Sequence, residues 1–234
     1  MPEGGERAGH VDFPALYRLM SWMSPAYPTG AFSYSSGIEW AVEAGDIKDA
    51  ETFERWLAVV IGEGGGSCDA VIFAHAHRAV VAGDEQALRT VGELACAFAP
   101  SKERYLETTA QGRAFLDTTR AAWSCAALEA LSTEEPVALP VAVAVACAGH
   151  RVPIAAALHA YLHAFAANLI SAGVRLIPLG QTDGQRVLAA LEPTIGKTLE
   201  VALFCSLDDI GSAAFRADLA SMRHETQYTR LFRS

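Results

Sequence analysis

The sequence predicts an all-α protein, a single-domain multi-helix bundle, on three observations. Apolar residues recur at helical spacing, most cleanly at Phe53, Trp56, Leu57, Val60 and Ile61. The connections between such segments are short, as between neighbouring helices of a bundle. The one stretch that alternates like a strand, Val141, Val143 and Val145, is interleaved with alanine and has no second strand to pair with.

In order along the chain, Pro14 suits a first helical turn, and Leu16, Leu19, Met20 and Met23 follow as an apolar face. Ser24-Pro25 stops that helix. From Ser24 to Glu39 the chain reads S-P-A-Y-P-T-G-A-F-S-Y-S-S-G-I-E. Its prolines and glycines hold the backbone bent, so that Tyr27, Phe32 and Tyr34 are presented for a partner. Ser36 is expected to cap a short helix carrying Ile38 and Val42, which Gly45 ends.

Asp49 caps the next helix. Four glycines among the five residues from Gly62 to Gly66 read as a break or as a close approach of another backbone. A helix resumes from Val71 to Val81 and closes at Gly83. Asp84 opens another, with Leu88, Val91, Ala95 and Phe98, which Pro100 ends. Ser101 starts a long helix to about Leu131, and Pro140 starts the valine-alanine helix.

Pro153 begins the longest apolar helix, to about Gly173, and its apolar circumference places it at the centre of the bundle. Pro178 and Gly180 break it. Helices from about Asp183 to Leu191, from Pro193 to about Phe204 and around Phe215 to Met222 complete the set. Residues 1–12 are expected to be a flexible N-terminus, 13–222 the helical domain and 223–234 a tail.

A net charge of −9 with no basic block argues against nucleic acid as ligand. Residues are 51% apolar and 19% charged, so part of the apolar surface is expected to be covered by self-association or a partner. No transmembrane helix is read: Pro140 interrupts the apolar run from Val137 to Gly149, and the helix after Pro153 carries His159, His163 and Asn168. The N-terminus lacks the apolar core of a secretory signal. The five cysteines, Cys68, Cys96, Cys125, Cys147 and Cys205, are odd in number and widely spaced, as reduced and packed thiols would be. A cytoplasmic location follows as the expectation.

Candidate chemistry is sparse. Ile195-Gly196-Lys197-Thr198 resembles the end of a phosphate-binding loop, but Leu191 stands where the motif needs glycine and no strand precedes it. No serine sits in a nucleophile elbow, and no catalytic residue is assigned. His159 and His163, four apart, have the spacing of a shared metal; core or partner-facing histidines, hydrogen-bonded locally, are the favoured reading. His75/His77 and His224/Glu225 are weaker pairs. Arg104 and Arg113 with Glu103 and Glu107 read as a solvated, ion-paired face. The mixed arginines and aromatics of the tail fit an interface segment or a frayed end.

The bent segment, N-L-I-S-A-G-V-R-L-I-P-L-G-Q-T-D-G-Q at Asn168 to Gln185, and S-M-R-H-E-T-Q-Y-T-R-L-F-R-S at Ser221 to Ser234 together resemble the UreF family of urease accessory proteins. The resemblance covers most of the chain outside the N-terminal dozen residues and Leu131 to Leu139. It implies an all-helical homodimer without an active site, an adaptor for UreD (also called UreH), the GTPase UreG and the urease apoprotein in nickel insertion. It needs no cofactor, and transient nickel contact stays open.

By the same resemblance the UreG-binding residues are Pro28, Gly30, Phe32, Tyr34 and Glu39, with Ser36 and Gly37 beside them. The UreD-binding residues are Tyr228, Arg230, Leu231, Phe232 and Arg233. Asn168, Ser171, Arg175, Pro178, Gly180 and Gln181 are expected to be structural first. Two positions depart from the family: Gly173 replaces a usual alanine, and Thr29 a usual apolar residue. The alternative function is a stand-alone nickel-binding metallochaperone.

Overall fold

The computed structural model describes residues 12–132 and 134–234, and helices joined by short connections account for its architecture. In chain order these are α1 (Phe13–Trp22), a 3-10 turn at Ala31–Ser33, α2 (Ile38–Glu43), α3 (Ala50–Glu63), α4 (Gly65–Ala82), α5 (Glu85–Ala97) and α6 (Lys102–Ala122). Then follow α7 (Ala126–Glu129), α8 (Leu139–Gly149), α9 (Ile154–Leu176), α10 (Gln181–Ala190), α11 (Glu192–Ala202), a 3-10 turn at Leu207–Asp209 and α12 (Phe215–His224). Among the described residues there is no strand. Of the expected flexible N-terminus, residues 1–11 lie outside the described part, and Asp12 caps α1 by accepting from the Ala15 amide at 2.7 Å.

Capping chemistry sets the helix starts. Asp49 accepts from Thr52 N at 2.9 Å and Thr52 Oγ1 accepts from Asp49 N, which closes a reciprocal box on α3. Asp84 caps α5 through Ala87 N, and Ser101 caps α6 through Arg104 N. Ser36 does not cap α2. Gly37 takes that place in the left-handed region, at φ +82°, and frees the Ser36 hydroxyl for Arg104 and Glu107. A Cβ on Gly37 would lie 2.6 Å from the Ser221 amide nitrogen, so glycine is required both for the backbone angle and for the approach of α12.

The long helix begun at Ser101 ends at Ala122, short of Leu131. His150 binds the Trp123 carbonyl at 2.8 Å, and the Trp123 ring packs edge-on to Trp22. Arg120 donates to the carbonyls of Leu128 and Leu131, which folds the chain back around α7. These contacts outweigh continued helix.

The centre of the bundle is α8 rather than α9. Every residue from Pro140 to Ala148 is buried, between α4 and α6 among others. On α9, by contrast, Ala155, His159, His163, Ser171 and Arg175 are exposed. Alanine scores as apolar yet hides little surface, so the circumference of α9 overstated its burial. Segments Ala50–Ala82 and Ile154–Leu176 have the length and apolarity of membrane spans, and 56% and 39% of their most apolar windows are buried inside this fold.

The face of α1 is also turned from the expected one. Ala15, Leu19 and Trp22 face the core, and Leu16 and Met20 are exposed beside Phe13 and Tyr17. Both sides of this helix are apolar, so spacing alone could not choose between them. At Gly173 a Cβ would stand 2.2 Å from the Phe53 ring of α3, so glycine lets the two helices meet here.

Candidate functional site

The bent segment and the tail, which the sequence treats as separate docking elements, form one structure. The Ser234 main-chain oxygen accepts from the amide of Ser35, at 2.6 Å, and from its hydroxyl, while Arg233 N donates to the Ser33 carbonyl at 2.8 Å. The end of the tail is therefore bonded main chain to main chain along the turn, Arg233 to Ser33 and Ser234 to Ser35.

Beneath this seam lies a buried polar network. Glu39 accepts from the tail amides of Leu231 at 2.7 Å and Phe232 at 3.0 Å. Each ring nitrogen of buried His224 faces a carboxylate, Glu103 at 2.7 Å and Glu39 at 3.2 Å, and Arg230 reaches Glu103 at 2.7 Å. Glu107 binds Arg104 at 2.6 Å and accepts from the Ser234 hydroxyl at 2.7 Å. Carboxylates this deep are tolerable only when their acceptor sites are filled, and here the tail fills them.

Arg175 of α9 ties the two elements from the side. Its guanidinium donates to the Phe32 carbonyl at 2.8 Å and stacks 4.3 Å from the centroid of the Phe232 ring. With Phe232 thus anchored, the surface carries exposed Phe32 (68%), Leu231 (77%) and fully exposed Tyr228.

The expected site residues divide accordingly. Pro28, Phe32, Tyr228, Arg230, Leu231 and Arg233 are exposed; Gly30, at φ +74°, and Tyr34 are half-buried. Glu39 and Phe232 are inside, holding the tail rather than facing outward. Tyr27 is not presented: its ring packs on Phe115 and its hydroxyl pairs with Thr119 at 2.8 Å.

Glu103 and Glu107 are not on a solvated face, because α12 and the tail bind them, and Arg104 is turned inward to Ser36 and Glu107. Only Arg113, paired with Asp117, fits that expectation. Sequence reasoning missed His224 as the hub. A signal did exist: Glu103, Glu107, Gln111, Phe115 and Thr119 run at four-residue spacing on α6, a polar row continuous with an apolar one, and all five are buried.

Behind the turn is a cavity of about 240 Å³ lined by Phe32, Arg104, Glu107, Phe115, Tyr161 and His163 among others. Asp69 also lines it, accepting from Tyr161 at 2.8 Å, and loss of solvent lifts its carboxyl from 3.8 to about 6. Burial also drives the Cys68 thiol to about 12, and all five cysteines are free. Gly196 and Lys197 lie within α11, as expected of a motif without its strand.

His75 binds the Cys205 carbonyl and His77 that of Val152. His159 and His163 are neither core residues nor locally bonded; both are exposed. Among the described residues no group of three or more His, Cys, Asp or Glu is placed to hold a metal.

Residues 47–192 match the UreF family model. Over 222 residues the chain is 62% identical to the urease accessory protein UreF of Rhodopseudomonas palustris strain BisB18, covering 94% of this chain and 92% of that one. Identity to UreF of Bradyrhizobium sp. strain BTAi1 is also 62%, over 225 residues and 96% and 94% of the two chains. For UreF of Bradyrhizobium diazoefficiens it is 61%, over 94% and 92%.

Proposed function

The chain belongs to the UreF family of urease accessory proteins, which serve urease maturation, and from that premise we propose that it is an adaptor joining UreD (UreH) to the GTPase UreG. It is a non-catalytic protein. In this reading it works as a cytoplasmic homodimer and assists nickel insertion into the urease apoprotein.

The observation that carries the reading is the seam between turn and tail. Leu231 projects from a backbone whose amide the buried Glu39 holds and Phe32 from one whose carbonyl Arg175 holds, as rigid aromatic and aliphatic anchors do at interface hot spots, and Tyr228 is fully exposed nearby in the tail. Fixing the backbone beforehand lowers the ordering cost of docking. Support for self-association comes from α1, whose Phe13, Leu16, Tyr17 and Met20 are exposed together. The free, packed thiols suit a reducing compartment.

Size-exclusion chromatography of this chain mixed with its cognate UreD and UreG tests the proposal. A defined complex is expected, and removal of residues 228–234 should abolish UreD binding. Separate elution of all three proteins under every nucleotide condition would overturn it. The stand-alone metallochaperone lacks the convergent ligand group that tight carriage requires among the described residues.

A further inference from the structure

On α9, His159 and His163 lie one turn apart and are exposed, while Leu158, Tyr161 and Leu162 between and beside them are buried. The two imidazoles therefore leave the helix on the same side. Their neighbours on that side, Ala155, Ala156, Ala160 and Ala164, are too short to cover them or to compete as ligands. Neither ring makes a hydrogen bond or ion pair among the described residues. A solvent-facing helix surface ordinarily carries charge that pairs along the helix. Here it carries two imidazoles with all four nitrogens open.

We propose that His159 and His163 form a two-imidazole surface site for a late first-row divalent cation, nickel, copper or zinc. Side chains at i and i+4 stand about 5–6 Å apart at Cβ, a span that lets two imidazole nitrogens meet one ion. Imidazole selects these metals over magnesium and calcium, which require oxygen ligands. With two protein ligands the remaining coordination positions belong to water or to a second molecule, so the ion is exchangeable. His163 also borders the cavity behind the turn, but uptake of the ion by the chain alone needs neither UreD nor UreG, so docking at the turn and tail can fail while this site stands.

Equilibrium dialysis of the full, tag-free chain against nickel, with magnesium as control, tests the site. Saturable nickel binding is expected, weakened at least about tenfold in His159→Ala and likewise in His163→Ala, with no binding of magnesium. Both variants should keep the circular dichroism spectrum and thermal midpoint of the parent, since each truncation removes only exposed atoms. A parent chain that takes up no nickel would overturn the proposal. So would a His159→Ala/His163→Ala double variant that binds as tightly as the parent, since the ion would then be elsewhere.

Discussion

From Pro140 to Ala148 every residue of α8 is buried and none is charged, whereas the clasp under the tail buries three carboxylates, Glu39, Glu103 and Glu107, around His224. Both regions are buried, and they are held by opposite means. Around α8 the stabilisation is non-directional: it scales with the apolar area removed from water and is spread over many weak contacts. In the clasp it is directional, and each carboxylate is tolerated only while named partners fill its acceptor sites. The core should therefore fail as a whole, and the clasp locally.

Phe73→Ala tests the first half of that contrast and carries the largest expected effect. Phe73 is fully buried on α4, and its truncation should cost about 3–5 kcal/mol in chemical denaturation, with one cooperative transition. Next is Glu39→Gln, which keeps the shape and removes the charge shared by His224 and the tail amides. It should cost about 1–3 kcal/mol and, unlike Phe73→Ala, open the tail to trypsin at Arg230 and Arg233 with the helical spectrum intact. If the tail stays resistant, the carboxylate is not what fastens it.

Asp69 sharpens the comparison through pH. Its folded pKa, about 6, lies above the ordinary 3.8, so between these values the folded chain binds more protons than the unfolded chain. This group's contribution to stability is accordingly full below the window, falls as pH rises through it and is level above about 6. Because Asp69 lines a cavity, the slope should be modest. Asp69→Asn keeps an acceptor for Tyr161 and should remove that slope, as read from denaturation midpoints across the window.

The smallest stability effect belongs to Phe32→Ala, within about 0.5 kcal/mol, since the ring is mostly exposed. Its consequence should be for binding: UreG drops out of the complex on size exclusion while UreD remains. A collapse of the helical spectrum in this variant would instead make Phe32 a structural residue.

The sequence by itself determined the helical class and most helix boundaries, because caps such as Asp49, Asp84 and Ser101 and breakers such as Gly83 and Pro100 act within a few residues of themselves. It also marked the turn and the tail, since prolines, glycines and exposed aromatics are local signs. Only the tertiary structure decided which apolar face of α1 turns inward, that α8 rather than α9 fills the centre, and that Glu39 faces the tail. It alone joined His224 to Glu39 and Glu103, positions 185 and 121 residues away along the chain. A buried charge takes its meaning from partners distant in sequence, and helical periodicity reports only that a side chain lies on a face, not what covers it.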